Sequence, residues 1–189
     1  SEVGHLNLGA GRRVPQMLVR IDEAIASGAL EAMPIIRDTM CAGADRALHL
    51  VGLVGEGGVH AAQRHFLALI DIAKRSGVQN LFLHALTDGR DSRPDSGLAA
   101  VEELEAAGAR VATVCGRYYG MDRDHRWDRT KAAYDAMVHG RGLHTASTGV
   151  EAVRASYDRG VTDEFIEATV VGDPAAGRIK DDDAVLFVN

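Results

Sequence analysis

Four arginines, Arg117, Arg123, Arg126 and Arg129, fall within the fourteen residues GRYYGMDRDHRWDR at 116–129. A second stretch, TDGRDSRPDSG at 87–97, sets Arg90 between Asp88 and Asp91 and adds Arg93. A third, GEGGVH at 55–60, brings three glycines up to His60. A guanidinium stays protonated at any working pH, and its planar fork holds a carboxylate or phosphate by two parallel hydrogen bonds. A small acid that is anionic at both ends needs two such anchors. Glycines near a helix start let backbone N–H groups approach an anion, which the positive end of the helix also favours.

These stretches need elements to position them. Residues 47–54, 80–86, 110–115 and 184–188 are short, nearly continuous apolar runs and read as buried strands, with 168–172 a weaker fifth. Segments of helical period lie between them. Residues 60–75 carry Phe66, Leu67, Ile70 and Ala73 at helical spacing and stop before Gly77; residues 97–107 carry Leu98, Val101, Leu104 and Ala107. Residues 124–139 set Trp127, Tyr134, Met137 and Val138 on one face, while 15–27 and 30–43 read as two helices broken at Ser27 and Gly28. The alternation predicts an α/β fold: a largely parallel sheet of about five strands with helices on both faces. Ligands of such sheets gather beyond the carboxyl ends of the strands, and all three polar stretches follow one. Convergence at one edge is therefore expected. Residues 1–14, SEVGHLNLGAGRRV, are Gly-rich with no clear period and read as a connection, leaving 15–189 as one domain.

A chain of 189 residues, 46% hydrophobic, is long enough to bury a core. The net charge of −6 argues against a nucleic-acid-binding face, and no stretch approaches a membrane span. An arginine cluster in an acidic protein suits a small anion better than a polymer of phosphates. Cys41 and Cys115 have no metal-ligand spacing and read as small buried side chains in a reducing cytoplasm.

Plainer readings compete with each of these. The glycines of GEGG serve a βα turn equally well, and a lone His60 can be a packing histidine. In DRDHRWDR the charges alternate, and Asp122 and Arg126 stand at i, i+4, so Arg126 and Arg129 are read as a solvated, salt-laced helix face. His49, His65, His139 and His144 lack metal spacing and are read as structural.

Taken together, SEVGHLNLGAGR at 1–12, GGVH at 57–60, HALTDGRDSRPDSG at 84–97, GRYYGMDRDHRWDR at 116–129, DEFI at 163–166 and DAVLFVN at 183–189 resemble the cofactor-independent phosphoglycerate mutase family, in order and over nearly the whole chain. The resemblance implies the transferase domain, which is inserted into a phosphatase-like, metal-binding domain that is missing here. It implies interconversion of 3-phosphoglycerate and 2-phosphoglycerate through a phosphoserine, with two divalent metal ions, expected as manganese, in a cytoplasmic monomer. Ser1 matches the nucleophile and a metal ligand; the other metal ligands and two further substrate arginines would lie outside the chain. The family pattern assigns substrate contacts to His60, Arg90, Asp91, Arg117 and Arg123. Arg90, Arg117 and Arg123 would hold the carboxylate and help with the phosphate. Asp91 would face the glycerate hydroxyls as a candidate general base, and His60 would meet the phosphoryl group. Asp88 and Gly89 are expected to shape the turn.

The chain departs from the family at Gly55 and Glu56, where Ser-Asp is common, and at Ala62, where a second histidine is frequent. A non-catalytic phosphate-binding or regulatory module is the alternative reading. A Rossmann-like nucleotide binder is disfavoured, because GEGGVH is not G-x-G-x-x-G and follows the wrong strand.

Overall fold

A computed structural model describes residues 2–12, 14–60 and 62–188. Its strands are β1 (Leu48–Val54), β2 (Leu81–Thr87), β3 (Arg110–Gly116), β4 (His144–Ala146), β5 (Thr169–Val171) and β6 (Ala184–Val188), joined in one sheet of order β4-β5-β3-β2-β1-β6. The helices are α1 (Glu2–Ala10), α2 (Met17–Ala26), α3 (Ala29–Ala32), α4 (Pro34–Asp45), α5 (Gln63–Arg75), α6 (Gly97–Ala106), α7 (Arg117–Gly120), α8 (Trp127–His139), α9 (Gly149–Asp158) and α10 (Pro174–Gly177). Strands β6, β1, β2 and β3 run parallel, as does β4 with β5, while β5 is antiparallel to β3. The α/β expectation therefore holds, with six strands instead of five.

β1 and β2 are buried along their whole length because helices cover both faces, which is why their sequences are unbroken apolar runs. Leu48, Leu50, Leu83, Val101, Leu104 and Val153 belong to the larger core, into which α5 inserts Phe66, Leu69 and Ile70. Burying each such side chain contributes roughly 1.5–3 kcal/mol. On the opposite face, Leu53, Leu86 and Cys115 pack against Ala133 and Ala136 of α8.

Several elements differ from expectation. Residues 2–10 form α1 despite their lack of period. The helix expected at 30–43 is divided at Met33, whose extended backbone precedes Pro34. α8 buries its alanines, so Trp127 and Tyr134 are exposed instead of forming a buried face. β4 and α9 had no counterpart in the sequence reading. The signal for α9 was present: the N-cap Thr148 accepts from the Glu151 N–H at 3.0 Å, and Glu151 accepts from the Ser147 N–H at 2.8 Å, a close variant of the capping box. Cys41 is exposed, contrary to expectation, and only Cys115 is buried. Among the described residues no helix is long and apolar enough to cross a membrane.

Candidate functional site

Because β1, β2 and β3 are parallel, their carboxyl ends deliver 55–60, 88–96 and 117–126 to one edge of the sheet. There they enclose a cavity of about 460 Å³ whose walls include His60, Arg90, Arg117, Tyr118, Arg123 and Arg129. The expected convergence is observed for four of the five substrate-contact candidates. The fifth, Asp91, is not in the cavity wall but is held against Arg117, which is. Ser1 lies outside the described residues.

Arg117 opens α7 directly after β3 and is nearly buried, its side chain 12% exposed. One nitrogen, Nη1, donates to both Asp88 Oδ1 at 2.5 Å and Asp91 Oδ2 at 2.7 Å. Among the described residues nothing hydrogen-bonds Nε or Nη2, an edge that suits a second, bidentate acceptor. Asp88 does more than shape its turn. Its Oδ1 also accepts the N–H groups of Arg90 and Asp91, each at 3.2 Å, so one carboxylate orders the loop and the guanidinium together. Burial pushes the Asp88 carboxyl up, but the Arg117 bond and the two N–H donors outweigh it and leave its pKa below the ordinary value. Oδ2 of Asp88 is buried without a hydrogen-bond partner among the described residues and faces Gly57, where a Cβ would stand 2.8 Å from it. Asp91 Oδ2 is engaged, and its side chain is 27% exposed.

The DEFI turn provides the far wall. A single 3-10 turn at Asp163–Phe165 carries Glu164 into the cavity, with Oε1 at 3.7 Å from Arg90 Nη1. Asp163 anchors this turn from within. Its Oδ2 accepts the Gly97 N–H at 2.8 Å, its Oδ1 accepts the Tyr157 hydroxyl, and its carbonyl accepts from Thr87 Oγ1 at 2.7 Å. Burial raises the Asp163 pKa above its ordinary value. The Gly116 N–H donates to the Ile166 carbonyl at 2.7 Å, tying the turn to β3 just before Arg117. In the sequence Glu164 stands out only as part of DEFI, and no spacing rule links it to residues 90 or 117.

Arg129 requires correction. It does not belong to a solvated face: its side chain is 17% exposed, it lines the cavity, and its guanidinium lies 3.7 Å from the centre of the Tyr118 ring. Its Nη1 donates to Asp122 Oδ1 at 3.1 Å and stands 3.5 Å from Asp124 Oδ2. Asp122 does not pair with the Arg126 side chain, as i, i+4 spacing had suggested, but accepts the Arg126 backbone N–H at 2.8 Å. Arg126 itself is exposed, as expected.

The 55–62 segment also differs in detail. α5 begins at Gln63, so His60 precedes the helix instead of opening it, and the Gly55 N–H is taken by Gln63 Oε1 at 3.0 Å. Ala62 is buried, 2% exposed. Glu56 is exposed and only 3.9 Å from Arg64 Nη1. Among the described residues no three His, Cys, Asp or Glu side chains come together to hold a metal ion. His49 and His84 are buried and bonded to each other, not to the cavity.

Residues 21–189 match the family described as BPG-independent PGAM N-terminus. Over its whole length the chain is 53% identical to the 2,3-bisphosphoglycerate-independent phosphoglycerate mutase of Thermomicrobium roseum and 50% identical to that of Myxococcus xanthus. It spans 38% and 39% of the length of those relatives. The crystal structure of Leishmania mexicana phosphoglycerate mutase at low cobalt concentration superimposes with a TM-score of 0.81 at 33% identity, covering 89% of this chain and 34% of that one.

Proposed function

The chain belongs to the BPG-independent PGAM N-terminus family, and on that premise we propose that it is the substrate-binding domain of an enzyme interconverting 3-phosphoglycerate and 2-phosphoglycerate. The observation that carries this reading is the convergence of His60, Arg90, Arg117 and Arg123 on one cavity. Its volume suits a small molecule, and its walls are polar and rich in guanidinium groups. A phosphoacid with a carboxylate at one end and a phosphate at the other matches that lining.

In this reading the Nε–Nη2 edge of Arg117 takes one anionic group, with Arg123 and Arg90 sharing the charge. His60 hydrogen-bonds a phosphoryl oxygen. Asp91, turned by its bond to Arg117, presents Oδ1 to the glycerate hydroxyls as general base. Ser1 takes the phosphoryl group, glycerate reorients in the cavity, and the group returns to the other hydroxyl, so that one awkward transfer becomes two easier ones. The two divalent ions, expected as manganese, find no ligand cluster among the described residues, and no step assigned to this chain runs through them. Residues 4–12 are almost wholly exposed, Leu6 at 61% and Leu8 at 82%, which supports reading 1–14 as a connection to another domain. The free cysteines support a reducing, cytoplasmic setting.

The test is calorimetric titration of the purified chain with 3-phosphoglycerate, beside ATP and beside Arg117→Ala. Saturable binding that ATP does not reproduce and that the substitution abolishes is expected, without isomerisation by the chain alone. Equal affinity for ATP, or binding indifferent to Arg117, would overturn the reading.

A further inference from the structure

The guanidinium groups at the cavity differ in how they are held. Arg117 is gripped by Asp88 and Asp91, Arg90 faces Glu164, and Arg129 is bridged to Asp122 and Asp124. Among the described residues no ion pair or side-chain hydrogen bond engages Arg123, although it lines the same cavity. Arg123 sits on a loop with no helix or strand, between α7 and α8, so the backbone of 121–126 alone decides where its side chain starts.

That loop is not intrinsically comfortable. His125 has φ 58°, a left-handed conformation that costs a non-glycine residue free energy and persists only where the surroundings impose it. Two sets of contacts restrain it, and Arg129 makes the larger one. Arg129, in the first turn of α8, donates to Asp122 and approaches Asp124, the residues on either side of Arg123. The second oxygen of Asp122 accepts the Arg126 N–H, closing the loop onto the start of α8. The face of the Arg129 guanidinium rests on Tyr118, which belongs to α7 at the loop's other end. One planar group therefore joins both ends of the loop and both neighbours of Arg123.

We propose that Arg129, bridging Asp122, Asp124 and Tyr118, is a positioning residue that holds the loop so that the unpaired Arg123 points into the cavity as a pre-oriented anion anchor. The proposal rests on the cavity being the phosphoglycerate site. A free arginine on a loose loop would lose side-chain and backbone freedom when the anion arrives, whereas a pinned loop has lost the backbone part already. The bridge also bears on why acidic residues sit within an anion site: Asp122 is hydrogen-bonded to Arg129 and Asp124 stands 3.5 Å from it, while neither is paired with Arg123.

The experiment is a double-mutant cycle on 3-phosphoglycerate affinity, followed by NMR titration of the chain, with Arg123→Met, Arg129→Met and the pair. Arg123→Met is expected to weaken binding roughly tenfold or more, the scale of a lost charge-assisted bond. Arg129→Met should weaken it about tenfold where Arg123 is present and no more than about twofold where Arg123 is Met, since the residue acts only through its neighbour. Arg129→Lys, which keeps the charge but cannot lie flat on the ring while reaching two carboxylates, should lose several-fold in the same coupled way. Additive losses would mean that Arg129 meets the ligand itself or merely supports the fold, and would overturn the proposal. So would unchanged affinity in Arg129→Lys and Arg129→Met alike. If Arg123→Met leaves affinity intact, the cavity reading falls, and this proposal with it.

Discussion

The α-carbon of Gly116 lies against the carbonyl of Glu164 so closely that a methyl group at Gly116 would collide with that backbone oxygen. The same glycine donates its N–H to Ile166 at 2.7 Å, so β3 and the DEFI turn are joined by contact and by hydrogen bond immediately before Arg117. Gly116→Ala must push the turn outward and carry Glu164 away from Arg90. We expect a loss of about 2–3 kcal/mol, as for other insertions into a filled site, read from urea denaturation. Weaker phosphoglycerate binding should accompany it. An unchanged midpoint would refute the contact.

Asp88 and Arg117 form a nearly buried pair, the carboxylate 2% and the guanidinium 12% exposed. Asp88→Ala removes the acceptor of two loop N–H groups as well as the counter-charge, and should cost about 3 kcal/mol, the scale for breaking a buried pair from one side. Asp88→Asn keeps an oxygen for the loop N–H groups and should cost about 1 kcal/mol. Equal losses from the two substitutions would show that the loop bonds contribute little.

Four side chains cross the sheet in one hydrogen-bonded chain. Asp183 Oδ2 can only accept, so His49 Nε2 carries its proton at 3.2 Å; His49 Nδ1 then accepts from His84 Nε2 at 3.0 Å, and His84 Nδ1 accepts from Thr113 at 2.9 Å. This arrangement is the one that neutral imidazoles make, and burial favours the neutral form of both. Burial lowers the pKa of each, against the opposing pull of Asp183 on His49, and brings His84 down to about 3. Below about pH 6.5 the unfolded chain takes up protons on these residues more readily than the folded chain, so stability falls as pH falls, for His84 until its folded pKa of about 3 is reached. For His84 the loss is about 1.4 kcal/mol per pH unit below 6.5. Urea midpoints at pH 7.5 and 5.5 should therefore separate. His84→Gln, less stable at neutral pH, should show a shallower dependence; an equally steep one would place the effect elsewhere.

Much of this molecule was legible locally. Strands such as LHLVGLV and LFLHALT are buried on both faces, so they carry no alternation and stand out as apolar runs. Phe66, Ile70 and Ala73 of α5 repeat at helical spacing for the same reason of burial. Because parallel strands present their carboxyl ends at one edge, the meeting of His60, Arg90, Arg117 and Arg123 followed from the order of elements alone. β4 was not legible. It is three residues long, lies at the edge of the sheet, and leaves Thr145 exposed, so it carries neither an apolar run nor a usable period.

By itself the sequence determined most of the long strands and helices and that the loops after β1, β2 and β3 carry histidine and guanidinium groups, because these depend on residues within a few positions of one another, and the order of the elements then placed those loops at one edge. The tertiary structure alone decided how those charges are shared. Arg117 finds Asp88 29 residues away, and the Thr87 hydroxyl meets the Asp163 carbonyl across 76. The reversal of β5 against β3 likewise depends on where the chain returns after α9. Arg129 shows the difference most clearly. Its spacing suits a solvated helix face, yet the nearby Tyr118 ring and the turn of the loop through His125 bring its guanidinium inward. Pairing between charges is set by distance in space, and sequence period reports only which way a side chain leaves its own element.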